Sequence, residues 1–248
     1  MKKLSLLIGL VLSFLSFGLS AAYEVVTVAD GGSLIGQVTF KGTPPPNKRI
    51  LIAKDFGICG RGEREIPEVV VSIKGGLKET VVYIEKIPKG KAWASPEGGE
   101  YLLEQKGCRF IPYFQVVPKK QTLIIQNSDP VLHNINVREL IGRARRGLFN
   151  FGQPRQGQRV PQKIRPIRSP RIKVECEAHN FMHAWIFAAE NPYYSVTNVD
   201  GSFKIDHVPA GTYTVKAWHP ILGIQKSKVT VSSNGETEVY YEFSAKKR

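Results

Sequence analysis

Val174–Trp185 reads Val-Glu-Cys-Glu-Ala-His-Asn-Phe-Met-His-Ala-Trp. Val174 and Cys176 alternate with charged residues, which is the period-2 pattern of a half-buried strand that carries Cys176 on its inward face. A second apolar run follows the motif, and the short segment between the two runs holds His179 and Met182. The stretch therefore predicts two strands joined by a loop, in which a thiol, an imidazole and a thioether converge at the end of a β-sandwich.

A second imidazole is offered by His133, far upstream of this loop. It follows a predicted strand, Thr122–Gln126, and the turn signal Asn127-Ser128-Asp129. Two histidines and one cysteine in a trigonal plane, with a weak axial methionine, are the ligand set of blue-copper electron-transfer sites. The sequence therefore predicts one bound copper ion.

Each of these residues also has a structural interpretation. A single buried cysteine or methionine usually fills a core, and a single buried histidine is usually part of a hydrogen-bonded structure. The joint spacing of His133, Cys176, His179 and Met182 favours one metal site over a separate structural role for each residue. His183 lies next to Met182 and would point to the opposite face of a strand, so we predict a structural role for it, as for His207 and His219.

The motifs can be compared with a known family. Cys176–Met182, Cys-Glu-Ala-His-Asn-Phe-Met, resembles the ligand loop of amicyanin-type cupredoxins, and Asn127–Asn134, Asn-Ser-Asp-Pro-Val-Leu-His-Asn, resembles the upstream cupredoxin segment that supplies the first copper histidine. The resemblance covers roughly Tyr101–Asn191. Amicyanin-type loops often have proline after the second histidine, where this chain has Asn180. The resemblance implies four ligand roles: upstream histidine His133, thiolate Cys176, downstream histidine His179 and axial ligand Met182.

Three further residues are expected near the metal. By resemblance and by position, Asn134 is predicted to tie the His133 segment to the Cys176 loop through hydrogen bonds. Phe181 and Trp185 are predicted to exclude water from the site, with ordinary core packing as the alternative.

The N-terminus predicts export. Lys2 and Lys3 precede an apolar run from Leu4 to Leu19, and the small residues at 20–22 offer a cleavage site for signal peptidase. We therefore predict a signal peptide at residues 1–22 and a soluble mature chain that begins near Tyr23, in the periplasm or outside the cell. The alternative is an uncleaved N-terminal anchor, although the apolar run is short for a membrane span and no other stretch approaches one.

Only three cysteines are present, and export permits disulfides. If Cys176 binds metal, Cys59 and Cys108 remain as a natural pair. A disulfide closing this loop would stabilise the fold by about 4 kcal/mol in the chain-entropy model. The alternative, that these two cysteines are additional metal ligands, lacks the close Cys-x-x-Cys or Cys-x-x-His spacing that such sites use.

The rest of the chain predicts a second β-sandwich. Asp200-Gly201 is a strong hairpin signal, and the stretch Thr197–Trp218 resembles the carboxypeptidase regulatory-like, transthyretin-type sandwich. The tail has too few strands for two sheets, and Ser33–Ile84 can supply the missing ones. We therefore predict an all-β chain in which a cupredoxin domain, 101–191, is inserted between two parts of an outer sandwich, 23–100 and 192–248. The alternative is three consecutive small β-modules.

The order of these parts resembles a group of exported proteins. An early strand at Gly36–Gly42, a cupredoxin centre and the strand-rich tail together resemble bacterial methylamine-utilisation or plastocyanin-like proteins, over nearly the whole mature chain. Fold alone does not fix activity, so this resemblance implies less about function than the ligand motif does.

Charge is distributed unevenly along the chain. Eleven Lys or Arg residues face a single acid, Glu139, between Arg138 and Lys173, and this segment carries most of the net charge of +14. Its Gly, Gln and Pro content predicts a loop. Such a segment can steer an acidic redox partner towards the protein. The alternatives are a solvated loop or one near anionic lipid, whereas nucleic acid is disfavoured because aromatic residues for stacking are few.

Three classes of function remain open at this point. The first is a periplasmic or extracellular blue-copper electron carrier, the second a copper-delivery or copper-storage protein, and the third a structural or carbohydrate-binding β-module with a vestigial metal site. We expect no enzymatic activity, because the sequence contains no Ser/His/Asp order, no motif with paired acids and no Gly-rich phosphate loop.

Overall fold

The computed structural model describes residues 23–245, and these residues are almost entirely β-structure, as predicted. The predicted signal peptide lies outside the described residues. One short helix, α1, spans Phe56–Cys59, and a single 3-10 turn spans Glu97–Gly99 within the described range. The strands in chain order are β1 Glu24–Val25, β2 Gly32–Lys41, β3 Lys48–Leu51, β4 Glu63–Ile66, β5 Val81–Ile84, β6 Lys89–Gly90, β7 Tyr101–Gln105, β8 Phe110–Ile111, β9 Phe114–Pro118, β10 Thr122–Asn127, β11 His133–Ile141, β12 Ala144–Gln153, β13 Arg159–Lys163, β14 Arg171–Glu175, β15 His183–Ala189, β16 Tyr194–Val196, β17 Ser202–Val208, β18 Gly211–His219, β19 Gly223–Val231 and β20 Glu236–Ser244.

The central part of the chain forms a sandwich that we call the inner sandwich, β7 to β15. One sheet has the strand order β13-β10-β7-β8, and the other has the order β12-β11-β14-β15-β9. Alternate residues of these strands, such as Leu123 and Ile125 on β10 and Ile172 and Val174 on β14, are fully buried in one core between the sheets. This is the period-2 pattern that the sequence shows.

Strands that precede and follow the inner sandwich in the chain form a second sandwich. We call it the outer sandwich; it comprises β2, β5 and β16 to β20. Its sheets have the orders β16-β5-β18-β19 and β17-β2-β20. The early strand β2 therefore pairs with the late strands β17 and β20, and the early β5 pairs with β16 and β18. Because the early and late strands complete each other, the predicted insertion of one β-sandwich into another is confirmed.

A third, aromatic cluster joins the two sandwiches. Phe114, Trp185 and Phe187 come from the inner sandwich, and Val81 and Trp218 come from the outer one. The ring centroids of Trp185 and Trp218 lie 6.5 Å apart in a T-shaped arrangement. Trp185, predicted to exclude water from the metal, thus packs at this junction.

The turn at Asp200-Gly201 is not a hairpin, contrary to the sequence prediction. The strand before it, β16, and the strand after it, β17, lie in opposite sheets of the outer sandwich. The turn instead docks on β2, where the Val38 amide donates to the Gly201 carbonyl at 2.8 Å. A Cβ at Gly201 would lie 2.2 Å from the Val38 carbonyl oxygen, so glycine is required by this close approach as well as by its φ of +80°.

The basic segment between Arg138 and Lys173 is also not the predicted loop. It contains the end of β11, all of β12 and β13, and the start of β14, and β11 and β12 form a hairpin. The buried carboxylate of Glu139 organises the segment, because it accepts hydrogen bonds from the Arg168 and Ser169 amides and pairs with Arg146 at 3.1 Å. In β12 the neighbouring residues Arg145 and Arg146 are both exposed, so this strand lacks an alternating pattern in the sequence.

A small unit, which we call the flap, comprises Lys48–Ile66. Its strands β3 and β4 pair only with each other among the described strands. The domain prediction places this segment with the outer sandwich, but its buried residues Ile52, Cys59 and Ile66 pack into the core of the inner sandwich. A disulfide from Cys59 to Cys108 fixes the flap to the connection between β7 and β8.

None of the helices in residues 23–245 is long and apolar enough to cross a membrane.

Candidate metal centre

The loop predicted to carry three ligands is short and closed by backbone hydrogen bonds. Strand β14 ends at Glu175 and β15 begins at His183, and these residues are antiparallel neighbours. The Cys176 amide donates to the Met182 carbonyl at 3.2 Å, and the Met182 amide donates to the His179 carbonyl at 2.9 Å. Because β14 and β15 are adjacent, the loop brings the three side chains to one end of the sandwich.

His133 reaches the same end from β11, which pairs with β14. The preceding turn is organised by Asn127, whose side-chain oxygen accepts from the Asp129 amide at 2.9 Å. The amide nitrogen of the same side chain donates to the carbonyls of Val131 and Gln153, each at 2.9 Å. This turn fixes the backbone that leads into His133, as the Asn-Ser-Asp signal suggests.

Three donor atoms meet in a nearly equilateral triangle. The Nδ1 atoms of His133 and His179 are 3.1 Å apart, and the Cys176 Sγ lies 3.9 Å from the first and 3.7 Å from the second. The three side chains are all buried, with at most 2% of each residue exposed. A point equidistant from the three atoms lies about 2.1 Å from each, which is close to the distances of about 2.0–2.3 Å at which nitrogen and sulfur ligands bind a metal ion.

Each histidine has an inner nitrogen, Nδ1, which faces the triangle, and an outer nitrogen, Nε2, which faces a carboxylate. His133 Nε2 lies 2.9 Å from Asp129 Oδ2, and His179 Nε2 lies 2.8 Å from Asp55 Oδ2. An ionised carboxylate only accepts hydrogen bonds, so Nε2 carries the proton and Nδ1 presents a lone pair. Both Nδ1 lone pairs then point at each other and at the sulfur, an arrangement that a cation between them stabilises. The residues present therefore fit a metal ion, and their thiolate and imidazole groups suit copper.

Hydrogen bonds decide the charge of Asp129. Burial alone would raise the pKa of this carboxyl, but the Cys108 amide, the His133 ring and the Gly107 amide hydrogen-bond to it and hold its pKa below the ordinary value. The two amide contacts are 2.8 and 2.7 Å long. Asp129 therefore stays ionised beside His133, and its negative charge favours a cation at the adjacent site.

Burial favours the neutral forms of Cys176 and His179. Burial raises the pKa of the Cys176 thiol, and backbone amides, including that of Asn134, offset only part of the effect. Burial also lowers the pKa of His179, although the hydrogen bond to Asp55 opposes it. A neutral imidazole is the form that binds metal, whereas the thiol releases a proton on binding, so metal affinity increases with pH.

Asn134 connects the two segments that supply the ligands. Its backbone amide points at the Cys176 sulfur at 3.4 Å, and its side-chain oxygen accepts from the Glu177 amide at 3.4 Å. The side-chain nitrogen donates to Asn150 on β12 at 2.8 Å. These are the contacts through which Asn134 ties the His133 segment to the Cys176 loop.

Met182 and Phe181 are buried beside the triangle. Both belong to the same core cluster as Cys176, and both line a pocket of about 360 Å³ next to the site. The ring of Phe181 lies against that of His179, with centroids 5.6 Å apart. The guanidinium carbon of Arg64 lies 4.8 Å from the centroid of the Phe181 ring. Phe181 thus shields the imidazole of His179 from solvent.

His183 has a separate set of contacts. Its Nε2 lies 2.8 Å from the hydroxyl of Tyr113, which also accepts a hydrogen bond from the indole of Trp185 at 3.2 Å. His183 is absent from the groups of described residues whose donor atoms could share a metal ion.

Sequence reasoning missed Asp55, Asp129 and Arg64. Asp129 stands four residues before His133 in the turn that the sequence signals, so its place beside the histidine could have been inferred from that turn. Asp55 is 124 residues from His179, and no local pattern links them. Arg64 donates to the carbonyls of Cys59 and Cys108, a role that only the disulfide could have suggested.

Comparison with known proteins gives partial matches. A family model described as "Polysaccharide lyase family 4, domain II" matches residues 181–239, less than half of the chain. This is a fibronectin-like β-sandwich, so the resemblance of the tail to the carboxypeptidase regulatory-like domain in particular is not supported. No curated protein matches the chain.

Similar solved structures include cupredoxins and a copper-containing nitrite reductase, all of low sequence identity. A purple cupredoxin from Nitrosopumilus maritimus is 17% identical, with a TM-score of 0.31, over 36% of this chain and 100% of that one. A reduced amicyanin mutant is 16% identical, with a TM-score of 0.31, over 44% of this chain and 98% of that one. A copper-containing nitrite reductase from Thermus scotoductus is 17% identical, with a TM-score of 0.30, over 37% of this chain and only 23% of that one.

Proposed function

We propose that this protein binds one copper ion through His133, Cys176 and His179, with Met182 as the axial ligand, and carries single electrons between redox partners. The observation that carries the proposal is the buried triangle of two Nδ1 atoms and one Sγ, with sides of 3.1, 3.7 and 3.9 Å. The resemblance of Cys176–Met182 and Asn127–Asn134 to cupredoxin motifs supports the choice of copper.

Copper bound by such ligands would alternate between Cu(I) and Cu(II) and so accept or donate one electron. The protein contributes a frame that barely moves during this change. Asp129 and Asp55 hold the two imidazole rings in orientation, and the backbone bonds of the Cys176–Met182 loop hold the sulfur. A frame held by these hydrogen bonds would keep the reorganisation on electron transfer small.

The proposed role is not enzymatic. Three protein ligands and an axial thioether leave no open position on the metal for a substrate. The proposal is therefore transfer of electrons through the ligands to another protein. In keeping with the predicted signal peptide at 1–22, we propose that this occurs in the periplasm or outside the cell.

The basic segment is the proposed docking surface for an acidic redox partner. Five of its eleven cations pair with acids of this chain, namely Arg138, Arg145, Arg146, Arg159 and Lys173. The other six have no acidic partner among residues 23–245, namely Arg143, Arg155, Lys163, Arg165, Arg168 and Arg171. Cationic side chains without an acidic partner raise the rate of association with an acidic protein, most strongly at low ionic strength.

The test is a visible absorption titration of the purified protein with Cu(II), followed by reduction. We expect an intense thiolate-to-copper band that saturates at one equivalent and bleaches reversibly. Cys176→Ser should abolish the band, whereas His207→Gln, at an exposed histidine of the outer sandwich, should leave it unchanged. Full colour in Cys176→Ser would refute the assignment.

Other outcomes of this experiment would favour the alternative functions. Rapid loss of bound Cu(I) to a mild chelator would favour copper delivery or storage. Failure of the folded protein to bind copper at all would favour a structural or carbohydrate-binding module with a vestigial site.

A further inference from the structure

The disulfide lies directly against the proposed ligand histidines. The sulfur atoms of Cys59 and Cys108 both lie within 4.8 Å of a ring nitrogen of His179 and of each other. The sulfur of Cys108 also lies within 4.8 Å of a ring nitrogen of His133 and of a carboxylate oxygen of Asp129. The sulfur atoms of Cys59, Cys108 and Cys176 therefore all lie near His179, and those of Cys108 and Cys176 also lie near His133.

Two opposite charges lie next to the disulfide. The guanidinium of Arg64 donates hydrogen bonds to the carbonyl oxygens of Cys59, Gly107 and Cys108. A carboxylate oxygen of Asp129 lies within 4.8 Å of the Cys108 sulfur. If the disulfide is reduced, the Arg64 charge favours thiolates, whereas the Asp129 charge favours a cation beside them.

Small molecules can approach one side of the disulfide. Cys59 and Cys108 are buried, but Cys108 lines the pocket of about 360 Å³ together with Arg64, Phe110 and Met182. A pocket of this size accommodates a small dithiol or a small copper complex. Cys108 and the proposed ligand Met182 thus line the same pocket.

We propose that reduction of Cys59–Cys108 creates a second, thiol-dependent Cu(I) site, formed by the two thiolates beside His179. A dithiol reductant supplies two electrons and two protons to the disulfide and leaves as its own disulfide. The two thiols release their protons when Cu(I) binds, and two thiolates are soft ligands of the kind that Cu(I) prefers. The disulfide form then holds one copper ion and the dithiol form holds two.

The experiment is a Cu(I) titration of the two forms against bicinchoninate under anaerobic conditions. The protein is refolded from denaturant with or without a small dithiol, the reductant is removed, and the thiol count is read from the mass after alkylation. We expect about one equivalent of Cu(I) in the disulfide form and about two in the dithiol form. Equal stoichiometry in the two forms would overturn the proposal, and so would a chain that refolds only as the disulfide.

Two variants separate this inference from the proposed function. Cys176→Ser removes a ligand of the first site only, so its dithiol form should bind one equivalent and its disulfide form none. The double variant Cys59→Ser with Cys108→Ser should bind one equivalent with or without dithiol. If the wild-type disulfide form binds no copper but the dithiol form binds one equivalent, the blue-copper function is wrong and the thiol-dependent site stands. The wild-type comparison needs no substitution, so it decides the matter even if the double variant fails to fold.

Discussion

The inner and outer sandwiches bury similar apolar cores but very different polar groups. The outer sandwich buries few of them, and they serve its backbone: Thr197 accepts from the Thr80 amide, and His219 Nδ1 lies 3.2 and 3.3 Å from the amides of Ile221 and Leu222. The inner sandwich buries a larger set at one end, namely Gln105, Asn127, Asp129, His133, Asn136, Gln153 and His179.

The difference lies in what the buried groups face. In the outer sandwich the ring nitrogen of His219 is satisfied by two backbone amides, so the arrangement is complete without any ligand. In the inner sandwich the carboxylates satisfy the outer nitrogens of His133 and His179, and the inner nitrogens face only each other and a sulfur. Two nitrogen atoms and a sulfur that face one another present three ligand atoms to one cation. This difference supports the proposed metal site in the inner sandwich.

The largest effect should come from truncating each core in turn. Leu34→Ala in the outer sandwich and Ile135→Ala in the inner one each remove a fully buried side chain, and each should lower the free energy of unfolding by about 3 kcal/mol. Only Ile135→Ala, two residues from His133, should also weaken copper binding. Denaturant unfolding and the copper titration measure the two effects. If Leu34→Ala weakens copper binding as much as Ile135→Ala does, copper binding depends on both sandwiches and not on the inner one alone.

Acid should weaken the outer sandwich through His219. Burial lowers the pKa of this histidine to about 4, whereas an unfolded histidine has a pKa of about 6.5. Stability is complete above pH 6.5 and declines as the pH falls towards 4, because the unfolded chain then binds the extra proton. The loss amounts to about 3 kcal/mol at pH 4. His219→Gln should flatten this part of the pH profile, and His207→Gln, at an exposed position, should leave it unchanged.

The two carboxylates should differ in their importance for copper. Asp129 is buried and held by two amides, so Asp129→Asn should weaken copper binding by about 10–100-fold. Asp55 lies on the flap, with 36% of its side chain exposed, so Asp55→Asn should have the smaller effect, of about 10-fold or less. A competition titration with a chelator ranks the variants, and Asp200→Asn in the outer sandwich is the matched control. The reverse order would show that the flap, rather than the turn before β11, positions the site.

The smallest effect on stability should follow from Met182→Leu. The change conserves volume in the core and should alter the free energy of unfolding by less than about 1.5 kcal/mol. Copper should stay bound while its reduction potential shifts, because the thioether is lost. Potentiometric titration of the visible band measures the shift. An unchanged potential would argue that Met182 is core packing, like the apolar side chains of the outer sandwich.

The sequence predicted the parts of this molecule that depend on neighbouring residues. The alternation into Cys176 and the spacing to His179 and Met182 are local, so the strand–loop–strand unit could be read directly. The sharing of one outer sandwich by early and late strands followed from counting strands, since the tail alone has too few for two sheets. The domain boundaries, by contrast, did not place Lys48–Ile66 on the inner sandwich.

What the sequence did not reveal depends on contacts between distant residues or on a weak strand signal. Asp55 meets His179 only because a disulfide and Arg64 hold the flap in place. The basic segment was predicted as a loop because of its Gly, Gln and Pro content, and the mostly exposed β12 shows no alternation that would have revealed a strand. Asp200-Gly201 is a residue pair typical of hairpin turns. Here, however, the chain passes from one sheet to the other at this turn, and β2 hydrogen-bonds to its backbone.

The pairing of β2 with β20 has a mechanical consequence. These strands are parallel and share nine paired residues, from Ser33 with Glu236 to Lys41 with Ser244. Tension applied at the start of β2 and the end of β20 would shear this ladder lengthwise, so all of its hydrogen bonds would resist together instead of opening one by one. The inner sandwich is attached between other strands and lies outside that line of force. Stretching the protein would therefore strain the scaffold first and leave the two histidines and the cysteine in register.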